Sequence, residues 1–88
     1  MIKLIYLGAD WCGPCKRMKP IIEEFELDHP EVLVVKVDVD EDPSTASALG
    51  VISVPTLVVM KDNEEFARKR GAVSKPNLEA LVFGETNE

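Results

Sequence analysis

Residues 11–16, WCGPCK, decide the fold of this 88-residue chain, and they contain both of its cysteines, Cys12 and Cys15. The stretch follows an apolar, strand-like run at residues 2–7 and opens a helix-like run that extends to about Asp28. Two thiols separated by two residues on a first helical turn can close a small disulfide and reopen it with little rearrangement elsewhere. This placement predicts a redox centre.

The position of the first cysteine also gives a physical reason for reactivity. A sulfur at a helix N-terminus faces free backbone N–H groups and the positive end of the helix dipole, and both favour the thiolate over the thiol. Lys16, Arg17 and Lys19 add positive charge at the same end, although a solvated basic face is the alternative interpretation. A substrate disulfide is attacked by a thiolate, and a second sulfur must resolve the mixed disulfide. We therefore expect Cys12 to attack and Cys15 to resolve.

Length and charge limit the remaining possibilities. The chain is long enough for one small domain, expected over residues 1–84, followed by a polar and frayed tail at residues 85–88. A formal net charge of −6, with no basic stripe, argues against nucleic acid as the main partner. Residues 2–7 are too few for a membrane span and lack the flanks of a signal peptide. We expect a cytoplasmic protein, in which a cysteine pair is more often catalytic or metal-binding than structural.

The first helix and the second strand follow from residue patterns. Pro14 fits the first turn of the helix, where its missing N–H would be unpaired anyway. Residues 32–39 are rich in β-branched side chains and predict a strand buried on much of both faces, hence a parallel one. The core-facing stripe of the helix is expected to comprise Met18, Ile21, Ile22 and Phe25, extended by Leu27.

Turn and cap signals divide the second half of the chain. Asp42 resembles an N-cap with Pro43 at the first helical position, and Gly50 suits the left-handed residue after that helix. Residues 56–60 and 65–70 predict a hairpin around a turn at residues 62–63, and a last helix starts near Ser74.

The resulting order, β-α-β-α-β-β-α, predicts an α/β fold. A right-handed crossover must pack back over the sheet, so we expect a four-stranded mixed sheet with helices on both faces. Cys12 and Cys15 then lie at the carboxyl end of the first strand, the edge of an open sheet at which ligands commonly bind.

Residues 11–16, Pro20, the triplet Val54, Pro55 and Thr56, and Gly71 together resemble the thioredoxin family. The resemblance extends over nearly the whole chain and implies the thioredoxin fold. It also implies a monomeric protein disulfide reductase with a redox-active disulfide, no bound cofactor and no metal. Its partners would be disulfide-containing proteins and a separate electron donor of the thioredoxin reductase type.

Site residues carry over from the family position by position. The resemblance implies an exposed nucleophile at Cys12, a buried resolving thiol at Cys15 and a cis-proline at Pro55 that faces them, an ordinary trans proline being the alternative. An extended substrate segment would pair with the backbone of Val54. The other residues expected to line or support this groove are Trp11, Gly13, Pro14, Ser53, Gly71 and Ala72.

The chain also departs from the family pattern. The extra N-terminal strand and helix of typical thioredoxins are missing, so the chain has the size of a glutaredoxin. It lacks, however, the tandem glycine that glutaredoxins carry after the fourth strand, which weakens a glutathione-binding interpretation. Tyr6 occupies the position of a buried aspartate, so proton transfer to Cys15 would need the Tyr6 hydroxyl or water near Lys36. A core aromatic and a snorkelling lysine are the alternatives. Arg70 replaces an apolar residue and would favour acidic targets if it borders the groove, a solvated hairpin charge being the alternative.

Other functions remain open at this point. A glutaredoxin-like, oxidase or isomerase type of thiol–disulfide exchange is the nearest alternative, and the redox potential of the pair would distinguish it. A zinc or iron–sulfur site would need a dimer, because one cysteine pair and a distant histidine cannot complete a tetrahedral site. A redox-inert docking module would not require the intact cysteine pair.

Overall fold

A computed structural model describes residues 1–84 of the chain. The predicted element order is confirmed, and the tail at residues 85–88 lies outside the described part. Within residues 1–84, no helix is both long and apolar enough to cross a membrane. The elements are β1 (Ile2–Gly8), α1 (Gly13–Asp28), β2 (Leu33–Asp38), α2 (Pro43–Ala48), β3 (Thr56–Lys61), β4 (Glu64–Arg70) and α3 (Lys75–Phe83).

The four strands form one mixed sheet in the order β2-β1-β3-β4. Strand β1 runs parallel to β2 and antiparallel to β3, and β3 is antiparallel to β4. The parallel pairing predicted for β2 is confirmed, and the strand is less buried than predicted: Val34 packs partly on one face, and Val35 and Val37 on the other. Among the described strands β2 pairs with β1 alone, so as an edge strand it leaves Leu33 and Lys36 exposed, and Val37 is its one buried residue.

Helices cover both faces of the sheet. Helices α1 and α3 pack on one face, where Met18, Phe25 and Leu78 meet sheet residues such as Leu57. Helix α2 covers the other face through Ala46. The predicted stripe of α1 holds for all members except Leu27, which is exposed because it lies on the outer side of the last turn.

Capping residues set the ends of the shorter elements as predicted. The Asp42 carboxylate accepts the Thr45 N–H and starts α2, and Gly50 beyond that helix has a φ of 68°. Asp62 and Asn63 also have positive φ values, as a tight hairpin turn requires. The Ser74 side chain caps α3.

Candidate active site

Cys12 is the N-cap residue of α1. Its backbone is extended, and its Sγ accepts a hydrogen bond from the Cys15 backbone N–H at 3.2 Å. Cys12 and Cys15 are joined by a disulfide, with their Cα atoms 5.2 Å apart. Pro14 lies in the first turn, where no N–H is required. The first turn contains no acidic residue, so the positive end of the helix acts on the sulfur without local compensation.

The burial of the pair differs from expectation in one respect. Cys15 is buried as predicted, at 3% exposure, but Cys12 is only 4% exposed, so the exposed nucleophile implied by the resemblance is wrong for this disulfide form. Cys12 is buried because it is the N-cap residue: its side chain folds back over the first helical turn and is bonded to Cys15.

Trp11 stands beside the pair with 69% of its surface exposed. Its indole Nε1–H donates to Asp40 Oδ2 at 2.7 Å, which fixes an exposed aromatic ring next to Cys12. Asp40 in turn has its backbone N–H bound to Asp38 Oδ1 at 2.8 Å. Asp40 was missed in the sequence, since nothing distinguishes it there from its acidic neighbours, Asp38, Glu41 and Asp42.

The segment before β3 contains a cis peptide bond between Val54 and Pro55, which confirms the cis-proline expectation. The Thr56 hydroxyl donates to the Ser53 carbonyl oxygen at 2.7 Å and the Gly71 N–H donates to the Pro55 carbonyl oxygen at 2.8 Å. These two bonds fix the segment on both sides.

Val54 lies partly buried against the core cluster that contains both cysteines. Gly71, with a φ of 91°, turns the chain after β4, and Val73 beyond it donates its N–H to Met18 Sδ at 3.3 Å. Ser53 and Ala72 are exposed, and so are Gly13 and Pro14 on the helix. The residues expected to form a groove thus come from the start of α1 and from loops at the same end of the sheet as the disulfide.

Tyr6 lies beneath the disulfide and is almost completely buried. Its hydroxyl donates to the Cys15 carbonyl oxygen at 3.2 Å, so it contacts the backbone of that residue. Burial raises the pKa of the Tyr6 hydroxyl above its ordinary value, at which the group is already protonated near neutral pH. Tyr6 is therefore a neutral hydrogen-bond donor in the core.

Lys36 is the β2 partner of Tyr6 in the β1–β2 register. Its side chain is half exposed, and its Nζ forms an ion pair with Glu26 Oε1 at 2.9 Å. Both Tyr6 and Lys36 line an open cavity of about 360 Å³ that reaches Cys15. Lys16 and Glu23 line it as well. Within residues 1–84, the structure contains no cluster of three side chains able to hold a metal ion.

The geometry has a direct chemical meaning. A disulfide between the N-cap and the first turn of a helix opens to two thiols without disrupting the sheet, and the dithiol form can reduce another disulfide. Fold and site together define a thiol–disulfide oxidoreductase.

The chain belongs to the thioredoxin family, whose profile, described as Thioredoxin, matches residues 2–83. Thioredoxins from Staphylococcus haemolyticus and Chlamydia caviae are 45% and 42% identical to it over 82 and 79 residues. These matches span 92% and 90% of this chain and 79% and 78% of the relatives.

Solved structures give the same result. A thioredoxin from Fasciola hepatica superposes with a TM-score of 0.89 at 33% identity, covering 97% of this chain and 81% of the other. A mutant thioredoxin from Halobacterium salinarum gives 0.88 at 37% identity, covering 99% and 76%. The predicted thioredoxin fold is confirmed.

Proposed function

We propose that this protein reduces protein disulfides, with Cys12 as the nucleophile and Cys15 as the resolving thiol. The observation that carries the assignment is the capping position of Cys12, whose Sγ receives the Cys15 N–H at 3.2 Å. That contact favours a thiolate on Cys12, an effect for which thioredoxins are themselves a known example. Cys15 follows inside the helix, and its sulfur has no comparable donor among residues 1–84.

The proposed reaction has two exchange steps. The Cys12 thiolate attacks one substrate sulfur, the substrate S–S bond breaks, and one substrate thiolate leaves. Cys15 then loses its proton and attacks Cys12 Sγ, which releases the second substrate thiolate and forms the Cys12–Cys15 disulfide. Two electrons pass to the substrate. Thioredoxins generally receive electrons from a thioredoxin reductase, and we propose a separate reductase of that type as the donor here.

The substrate segment is proposed to lie across the loops beside the disulfide. The Val54 backbone would pair with it as an added strand, which gives broad sequence tolerance. Trp11, Gly13, Pro14, Ser53, Pro55, Gly71 and Ala72 would border or support this groove.

We further propose that water in the cavity beside Cys15 accepts its proton, with Lys36 near the opening. Tyr6 is a neutral hydroxyl at neutral pH, since burial raises its pKa further above that range, and it donates to a carbonyl oxygen, so it presents no phenolate that could accept the proton. Tyr6→Phe should therefore leave the pH dependence of disulfide reduction unchanged. A shifted pH profile in that variant would assign the proton transfer to Tyr6.

Three further proposals concern domain organisation, oligomeric state and location. We propose that residues 1–84 form one domain, since the four strands described there belong to one sheet. We also propose that the protein acts as a monomer and that it works in the cytoplasm, because the cysteine pair must return to the dithiol form and that compartment is reducing.

Activity measurements test the reductase assignment. With dithiothreitol or a reductase as electron source, the wild-type protein should reduce a test protein disulfide and Cys12→Ser should not. Full activity of Cys12→Ser would refute the mechanism. Equilibration of the Cys12–Cys15 pair with glutathione gives its potential, and a strongly oxidising value would instead indicate an oxidase or isomerase.

A further inference from the structure

Tyr6 joins the first turn of α1, residues 13–16, to the sheet. Its hydroxyl donates to the Cys15 carbonyl oxygen at 3.2 Å. Of the side-chain hydrogen bonds within residues 1–84, this is the one that connects that turn to a strand. Tyr6 lies on an inner strand, since β1 pairs with both β2 and β3. The proposed resolving cysteine is thus tied to the middle of the sheet.

The Tyr6 ring is held in the direction of Cys15. It is buried and packs in the core cluster that contains both cysteines. Gly8 is two residues further along β1 and lies on the same face of the strand. The ring occupies the space that a side chain at Gly8 would need, because a Cβ there would lie 2.6 Å from Tyr6 Oη. The lack of a side chain at Gly8 therefore lets the Tyr6 hydroxyl reach the helix.

The first turn of α1 is connected to the rest of the helix by one hydrogen bond fewer than usual. Pro20 lies inside α1 and has no N–H, so the Lys16 carbonyl oxygen lacks the usual bond from the residue four positions later. Within the turn, the Lys16 N–H donates to the Cys12 carbonyl oxygen at 3.3 Å, and the Cys15 N–H donates to Cys12 Sγ at 3.2 Å. These bonds hold the turn together locally, whereas the Tyr6 bond fixes it to the sheet.

This anchor matters most while the disulfide is open. In the oxidised protein the Cys12–Cys15 bond holds the two Cα atoms 5.2 Å apart. In the mixed disulfide, Cys12 Sγ is bound to the substrate, and no covalent bond joins the two cysteines. The Cys15 thiolate must then attack Cys12 Sγ, displace the substrate thiolate and form the Cys12–Cys15 disulfide again. Such an intramolecular attack is fast only where the two reacting atoms are held close together.

We propose that Tyr6 is a positioning residue for the resolving step, because its hydroxyl holds Cys15, through the carbonyl oxygen, within reach of Cys12 after the disulfide opens. This inference rests on the proposed order of attack. In this role Tyr6 neither gives nor accepts a proton, in agreement with the unchanged pH dependence expected for Tyr6→Phe. Loss of one hydrogen bond corresponds to about a two- to tenfold effect on the resolving step.

Two variants test the proposal. Tyr6→Phe removes the hydroxyl and keeps the buried ring. Asp28→Asn is the matched control, because it weakens a side-chain contact of the same helix, with Lys75, at the last residue of α1. Equilibration of each protein with glutathione gives the equilibrium constant for formation of the Cys12–Cys15 disulfide.

A kinetic experiment separates the two exchange steps. Each reduced protein is mixed with dithiobis(nitrobenzoate), an aromatic disulfide that releases a coloured thiolate. The first thiolate is released when Cys12 attacks the reagent, and the second when Cys15 attacks Cys12 Sγ. The first phase depends on the reagent concentration and the second does not, which identifies each step.

Tyr6→Phe should lower both the equilibrium constant and the rate of the second phase by about two- to tenfold and leave the first phase unchanged. Asp28→Asn should match the wild-type protein in all three quantities. A wild-type equilibrium constant or second phase in Tyr6→Phe, a slower first phase in that variant, or an equal loss in Asp28→Asn would overturn the proposal. The proposed order of attack fails separately, if Cys12→Ser reacts with the reagent as fast as Cys15→Ser.

Discussion

Gly8, at the end of β1, is predicted to be intolerant of a side chain because of Tyr6. A Cβ atom at this position would lie 2.6 Å from Tyr6 Oη and 2.9 Å from Tyr6 Cζ. The Tyr6 ring is buried and its hydroxyl is bound to the Cys15 carbonyl oxygen, so it cannot move away freely. Gly8→Ala must therefore displace the ring beneath the disulfide.

The expected cost combines two effects. Overpacking a core typically destabilises by about 1–3 kcal/mol, and loss of the hydrogen bond to Cys15 adds about 0.5–1.5 kcal/mol. We expect Gly8→Ala to lower the free energy of unfolding by about 3 kcal/mol, measured by urea denaturation. The corresponding fall in Tm is about 12 to 24 °C for a domain of this size.

Two controls isolate the steric cause. Gly13→Ala should change the free energy of unfolding by less than about 0.5 kcal/mol, because nothing lies within 4 Å of a Cβ at Gly13. In a Tyr6→Leu background, which removes the ring, Gly8→Ala should cost little. An equal cost of Gly8→Ala with and without the Tyr6 ring would refute this reasoning.

Three other predictions concern a charge pair, the aromatic ring of the site and a helix end. The hydrogen bond and the charge of Lys75 hold the pKa of Asp28 below its ordinary value. The interaction of Asp28 with Lys75 therefore stabilises the fold above the unfolded pKa of about 3.9, and this stabilisation is lost as pH falls from there through the lower folded pKa. Asp28→Asn should thus be less stable than wild type at pH 7, and urea titrations should show the gap closing below about pH 4; a constant gap would contradict this. Asp40→Ala frees the Trp11 indole, so Trp11 fluorescence should change and kcat/KM for protein disulfides should fall by about two- to fivefold, whereas an unchanged spectrum would show that the bond does not fix the ring. Gly50→Ala should cost about 1–2 kcal/mol in urea denaturation, because φ is +68° although space is available; a smaller cost than that of Gly13→Ala would be evidence against this backbone argument.

Local signals in the sequence were sufficient for most of the fold. Asp42 and Ser74 cap their helices because a short polar side chain before a helix binds its first N–H groups, whatever the tertiary context. The pairing of Cys12 with Cys15 followed from their spacing at the start of a helix, whereas the cis bond before Pro55 followed from the family resemblance.

Contacts between residues that are distant in the sequence could not be predicted from local sequence patterns. The hydrogen bond of Trp11 to Asp40 and that of Tyr6 to Cys15 depend on how β1, α1 and the loop after β2 meet in space. The exposure of Leu33 follows from the edge position of β2, and a run of β-branched residues does not distinguish an edge strand from a central one.

The assignment of the two sulfurs is tested most directly by trapping the mixed disulfide. Reduced Cys15→Ser is incubated with a disulfide substrate, and the adduct is located by peptide mass spectrometry without reductant. The predicted result is a covalent adduct on Cys12, because the capping sulfur attacks and no second thiol remains to release the substrate. Absence of an adduct, or an equal yield on Cys15 in Cys12→Ser, would contradict the proposed order of attack.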